Sequence, residues 1–517
     1  MAVMSELGTD LDRWRRRRSA VAHRPTTAPP RVVVLGAGMS GMCAAIGLRA
    51  AGINDITILE RADGVGGTWR DNHYPGSACD VPSHLYSFSF APNPEWTQKY
   101  APQSEILEYF EAIARRYSLL PICRFGVEVE SAEFDADRAL WKVRCAGGDV
   151  VEAEVFIAAT GQLNRPFIPP IGGLDSFEGT TFHSARWDHG HSFEGERVAV
   201  IGNGASAVQF VPHVAAAAES LTLFQRSANW IMPKPDRVFR PWERRAFRIP
   251  VIERTYRISI WARLESRFTL MRRRSWLRDL VTRLAVPKLE QVVRPNLPRD
   301  AVVPDYPIGC KRILISNDWY PALLRPTSLT ITTPIRRISP TGIETADGVH
   351  REFDTIIFGT GFETTKFLTP ITVTGIDGAD LHETWRSGAS AHLGMSVPGF
   401  PNCFILYGPN TNLGHNSIIF MTERQVDYVV RCVQDLWQRG PGRLDLRPEV
   451  MVASEQRTAE LAADTVWLAS CDSWYKTADG KLTNNWPART TAYWRATTDG
   501  GPQDFTYTEL GATPANA

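Results

Sequence analysis

The chain carries one local pattern twice, and that repeat limits its fold more than any other feature. Arg31-Val32-Val33-Val34-Leu35 is a β-branched run suited to a buried parallel strand. Gly36, Gly38 and Gly41 follow at once, and an Ala-rich stretch over 42–51 continues as a helix. Ile56-Thr57-Ile58-Leu59 reads as the next strand and ends in Glu60. The second copy runs Val198-Ala199-Val200-Ile201, then Gly202-x-Gly204-x-x-Ala207 opening a helix, then Leu221-Thr222-Leu223-Phe224. Glycines so placed permit a tight turn, close approach of backbone to a pyrophosphate, and close packing of helix on strand. A lone G-x-G-x-x-G is a weak signal, but strand, glycines, helix, strand and charged residue in that order form a specific one. The predicted class is α/β, with two Rossmann-like dinucleotide-binding domains.

The residue that closes each repeat separates the two nucleotides. Glu60 stands 24 positions after Gly36, and Arg226 stands 24 positions after Gly202. An acid there accepts hydrogen bonds from ribose hydroxyls and repels a 2′-phosphate, so the first site suits FAD. Arg226 pairs with a 2′-phosphate and Ser227 adds a hydroxyl, so the second site suits NADP, with Ser206 in its turn.

Composition narrows the rest. At 517 residues the chain is long enough for two or three domains, and a net charge of +1 argues against a nucleic-acid partner. The eight cysteines form no C-x-x-C pair and no zinc-type cluster, so no metal site is expected and a reducing cytoplasm suits them. No apolar run is long enough to span a bilayer. Arginines 13 and 15–18 flank Trp14 without the apolar stretch of an export signal. Residues 1–30 therefore read as a flexible or surface-docked extension, with weak membrane or polyanion contact as the alternative.

Between the repeats, Asp80 precedes Val81-Pro82 and is expected to be partly buried, so it needs a cationic partner. Residues 104–117 have helical spacing with Ser104 as N-cap, and 127–133, 140–145 and 150–158 suggest an antiparallel excursion with a return strand. Thr355-Ile356-Ile357-Phe358 is a further strand, and a helix is expected from about residue 417.

With these residues in view, the chain resembles the Baeyer–Villiger monooxygenases, a type I branch of the class B flavin-dependent monooxygenases. Phe177-x-Gly179-x-x-x-His183-x-x-x-Trp187-Asp188 matches that family's fingerprint, in the variant ending in Asp. Gly67-Thr68-Trp69, with Tyr74-Pro75-Gly76-x-x-x-Asp80, matches its second motif. The resemblance implies flavin contacts around Gly67, Thr68, Trp69 and Asp80, and gives Arg312 a place at the flavin and Lys311 one at the cofactor phosphate. Arg312 is then the partner for Asp80. Phe177, Gly179, His183, Trp187 and Asp188 fall in an interdomain linker and are expected to couple domains rather than move protons. Trp474 falls in a loop that closes over NADP and lines the substrate pocket, or else anchors the core.

The implied organisation is an extension (1–30), an FAD domain (31–165 and 356–517), an NADP domain (166–230 and 304–355) and a helical insertion (231–303). Arginines and apolar residues crowd that insertion. They read first as a solvated basic face over an apolar stripe, with a membrane-surface role as the alternative. The implied chemistry is NADPH- and O2-dependent conversion of a small ketone to an ester or lactone, through a peroxide on flavin carbon 4a. Two alternatives remain: oxygen transfer to nitrogen or sulfur, and a flavin disulfide reductase or electron carrier. The latter needs a redox cysteine pair, and residues 64–80 offer only Cys79.

Overall fold

The computed structural model describes residues 12–16, 28–468 and 473–511. Two five-stranded, wholly parallel sheets organise it. The first has the order Cys403–Ile405, Val155–Ala158, Val32–Leu35, Ile56–Leu59, Cys123–Arg124. The second has the order Ser328–Ile331, Ser220–Phe224, Arg197–Ile201, Thr355–Phe358, Thr180–His183. In each, the glycine turn leaves a central strand whose residues are almost all buried, as parallel strands covered on both faces must be. The helices that follow are Met39–Ala50 and Ala205–Ala217.

The excursion expected after the first repeat is present. Val129–Asp135, Leu140–Cys145 and Val150–Ala153 pair antiparallel, and Val155–Ala158 returns to the first sheet. Two expectations shift. The helix after Asp80 is Gln103–Arg116 with Pro102 before it, so Ser104 lies inside the helix and is not its cap. The Thr355–Phe358 strand lies within the second sheet, between Arg197–Ile201 and Thr180–His183. The crossing back to the first sheet therefore follows residue 358, and the boundary expected at 355/356 would cut a strand in two.

The insertion is helical, with Pro241–Phe247, Pro250–Ser266, Phe268–Met271, Trp276–Glu290 and Arg299–Val302. Its inner face is fastened by buried polar groups. Arg257 donates to the carbonyl oxygens of His84 (2.7 Å) and Ser87 (2.9 Å), and Glu265 accepts from Asn416 (2.9 Å) and Thr490 (2.8 Å). Ile260, Trp261 and Leu264 pack there against Phe420 and Met421. In the N-terminal extension, residues 12–16 are helical and Trp14 is fully buried, edge-on to Phe90 at 5.6 Å. That part is docked through its indole.

Candidate active site

Both glycine turns open into one cavity of about 1210 Å3. That exceeds the roughly 300–1,000 Å3 of a single small-ligand pocket, so it has room for more than one bound molecule. Gly36 and Gly202 have nearly the same left-handed φ, +103° and +102°. A Cβ on Gly36 would lie 2.7 Å from the Ala159 carbonyl oxygen, and one on Gly202 would lie 2.5 Å from that of Gly359. Ala159-Thr160-Gly161 and Gly359-Thr360-Gly361, which echo each other in sequence, thus play the same part in the two units. Gly41 packs against Gly36 and stays out of the cavity wall, as a glycine serving helix–strand contact should. Gly38 and Gly204 precede helices with no side-chain cap and no acid in the first turn. Their free N–H groups and positive helix ends form two ready cradles for phosphate.

The charged ends of the two repeats also reach the cavity. Glu60 is fixed by the backbone N–H groups of Ala37 (2.7 Å) and Ala62 (2.9 Å). On the other side Arg226 is exposed on the cavity wall. Beside it, Lys311 donates to the Ser227 hydroxyl (3.1 Å) and lies over the Tyr306 ring. Asn203 donates to Gln225 (2.9 Å) and to the Ser227 carbonyl (2.8 Å), which fixes the loop. Ser206 lines the same wall. Two cations and two hydroxyls here suit a dianion; Glu60 at the first site would repel one.

Asp80 and Arg312, 232 residues apart, meet on this cavity. Arg312 Nε and Nη2 both donate to Asp80 Oδ2, at 3.0 and 2.5 Å. The Asp80 charge is the main reason that the guanidinium pKa is raised, against the opposing effect of burial, so Arg312 is a permanent cation. The loop bearing Asp80 rests on the second unit. Tyr74 donates to Gln209 (2.9 Å), and Gln209 donates to the Ala78 carbonyl (2.8 Å). Gly76, at φ +79°, leaves no room for a Cβ, which would lie 2.6 Å from the Gln209 carbonyl oxygen.

Gly67, Thr68 and Trp69 line the cavity, and Trp69 donates from its indole to the Tyr86 hydroxyl (3.1 Å). Trp474 lines it as well, its carbonyl accepting from Thr364 (3.0 Å), and its ring also packs on Tyr475 against the second core. The fingerprint residues are placed elsewhere: Phe177, Gly179, His183, Trp187 and Asp188 are absent from the wall. Thr180–His183 is an edge strand, and a Cβ on Gly179 would lie 2.3 Å from the Asp354 carbonyl oxygen. His183 Nδ1 accepts from the Ala185 N–H, and burial pushes its pKa down to about 4. Asp188 accepts from the Gly190 N–H (2.8 Å). Trp187 packs on Phe210, which in turn meets Tyr74 edge-on, so the fingerprint touches the Asp80 loop through aromatic contacts.

Sequence reasoning missed Tyr407. It is partly buried on the cavity wall at φ +57°, a conformation uncommon for a large side chain. Its charge environment includes Arg312, and its hydroxyl donates to Asn412 (2.7 Å), which donates to Asn485 (2.6 Å). The Gly408-Pro409 turn after it was the available signal. Six cysteines are free, as expected, and Cys471 lies outside the described residues. Among the described residues no cluster suits a metal ion, and no helix is long and apolar enough to cross a membrane.

The flavin-binding monooxygenase-like family profile matches residues 29–372. A Baeyer–Villiger monooxygenase of Streptomyces coelicolor is 42% identical over 471 residues, covering 90% of each chain. An oxidized steroid monooxygenase bound to NADP superposes with a TM-score of 0.82 at 31% identity, over 93% of this chain and 99% of that one. OTEMO in complex with FAD and NADP superposes with a TM-score of 0.84 at 25% identity, over 93% and 100%.

Proposed function

The chain belongs to the flavin-binding monooxygenase-like family, among the Baeyer–Villiger monooxygenases, and from that premise we propose how its own residues serve an FAD- and NADPH-dependent oxidation of ketones. The overall reaction takes a ketone, O2, NADPH and a proton to an ester or lactone, NADP+ and water. The residues fit both dinucleotides. Gly36, Gly38 and the helix beginning at Met39 cradle the FAD pyrophosphate, with Glu60 on its ribose and Gly67, Thr68 and Trp69 close by. Gly202, Gly204 and Ser206 cradle that of NADP, with Arg226, Ser227 and Lys311 on its 2′-phosphate. Bound FAD, with NADPH as electron source, supplies the oxygen-activating chemistry.

The observation that carries the reading is the Asp80–Arg312 pair on a cavity shared by the two cradles. Arg312 is a fixed cation where negative charge develops on oxygen as the ketone is attacked. Asp80 holds the fork in place and balances its charge while the site is at rest. Trp474, Tyr407 and Leu413 give this part of the wall an apolar and aromatic character that restricts water. Trp187 backs the Phe210 ring that Tyr74 of the Asp80 loop meets, and His183, neutral at pH 7, takes no part in proton transfer.

We divide the chain into FAD-binding parts (31–165 and from 359 on), NADP-binding parts (166–230 and 304–358) and the insertion (231–303), and we place it in the cytoplasm. The test is a screen of cyclic, linear, aromatic and steroid ketones with NADPH and oxygen uptake matched to product mass. Products one oxygen heavier than the ketone support the reading. Turnover of amines and thioethers without turnover of any ketone would replace it with nitrogen or sulfur oxygenation.

A further inference from the structure

The outer face of the insertion is unlike the rest of the surface. Of the sixteen exposed large apolar side chains among the described residues, eight lie between 238 and 284, under a tenth of the chain. Seven of them form two groups. Trp242, Ile249, Val251 and Ile252 surround the start of the Pro250–Ser266 helix, with exposures up to 68%. Trp276, Leu280 and Leu284, exposed by 76%, 44% and 62%, stand at i, i+4 and i+8 on the Trp276–Glu290 helix and so share one face.

Folding does not account for that stripe. The same helix already turns Val281, Ala285 and Leu289 to the core, and these lie about 140° round the helix from the exposed row. A surface helix needs one apolar stripe; this one has two. Nor is the insertion loosely attached, since Arg257 and Glu265 fix its inner face by the buried hydrogen bonds described above.

Charge coincides with the apolar surface. Between residues 238 and 290 stand fourteen Arg and Lys against five Asp and Glu, a net of +9 in a chain whose total is +1. Two of the five acids, Glu253 and Glu265, are buried, so the outward balance is more positive still. Arg245, Arg274, Arg283 and Lys288 are exposed within the same segment.

We propose that this face docks on a membrane surface bearing acidic phospholipids. Trp242, Ile252, Trp276, Leu280 and Leu284 enter the headgroup region, and the arginines meet lipid phosphates. Exposed tryptophan and leucine beside arginine is the composition that holds a helix in the plane of a bilayer. A nucleic acid would use the cations but has no use for exposed leucines. A second copy would bring one strongly positive face against another.

The test is cosedimentation of the full-length holoenzyme with phosphatidylcholine vesicles, with and without phosphatidylglycerol, at near-physiological and high salt. The wild type should bind the acidic vesicles about tenfold or more better than the neutral ones, and salt should weaken that binding. The triple variant Trp276→Ser, Leu280→Ser, Leu284→Ser and the double variant Arg274→Glu, Arg283→Glu should each lose about tenfold, with unchanged thermal stability. Val349→Ser with Val452→Ser, exposed elsewhere, should bind as wild type. Absence of binding to acidic vesicles, or equal binding by all variants, overturns the proposal. So does binding lost only on charge reversal and competed by heparin, which marks a polyanion site. Self-association abolished by the triple variant, without vesicle binding, marks an interface between copies instead.

Discussion

A guanidinium whose charge cannot be titrated away suits a site where oxygen becomes negative, and Arg312 is anchored by both Nε and Nη2 on one carboxylate oxygen of Asp80. Arg312→Ala should leave NADPH-driven flavin bleaching intact in the stopped flow. Ester formation should fall about 10²–10³-fold, the usual cost of removing an oxyanion-stabilising donor. The electrons of the consumed NADPH should then appear in hydrogen peroxide, one molecule for each NADPH oxidised. Arg226 is a second residue-scale case. Its loss should raise KM for NADPH about tenfold or more, the weight of a charge-assisted hydrogen bond, and leave KM for NADH nearly unchanged. Steady-state kinetics with both coenzymes checks it, and equal effects would remove Arg226 from the phosphate site. Sequence spacing alone led to Arg226, since it occupies the slot that Glu60 holds in the first repeat. Nothing in spacing pointed to Tyr407, because its left-handed φ and its place beside Arg312 are set by segments far apart in sequence.

The Thr180–His183 strand shows how an element conspicuous in sequence serves the site from outside it. It closes an edge of the second sheet and ends in a histidine whose ring accepts from the next turn. Burial puts the His183 pKa at about 4, below its ordinary 6.5. Between those values the unfolded chain holds more protons than the folded one, so this share of stability is complete above pH 6.5 and is lost as pH falls toward 4. The loss amounts to about 3 kcal/mol. Denaturant titrations from pH 7 to 4 should show that slope in the wild type. It should be reduced in His183→Asn, which keeps a cap acceptor but does not titrate. The strands and helices of both repeats were legible in sequence because buried parallel strands are short β-branched runs and glycine turns permit few conformations. The Ser104 cap was misplaced because Pro102 starts that helix earlier, and caps depend on backbone geometry at a single residue.

At the scale of the molecule, the two sheets are joined by contacts that no single segment contains. Trp187 packs on Phe210, Phe210 meets Tyr74 edge-on, and Gln209 clamps the loop that carries Asp80. Trp187→Ala should cost about 3–5 kcal/mol, as large-to-small changes of a buried indole do. If Trp187 couples the units, calorimetry should show one unfolding transition in the wild type and two in the variant; one transition at a lower temperature in the variant would assign it a packing role only. The sequence by itself determined the two glycine-turn units and the opposite charges that close them, because turn geometry and the residue at a strand end are set within two dozen residues. Only the tertiary structure showed Asp80 and Arg312 in contact, a pairing that the family resemblance had implied, and placed the strand beginning at Thr355 in the second sheet. Those outcomes depend on which surfaces bury against each other across hundreds of residues, and local pattern does not encode that choice.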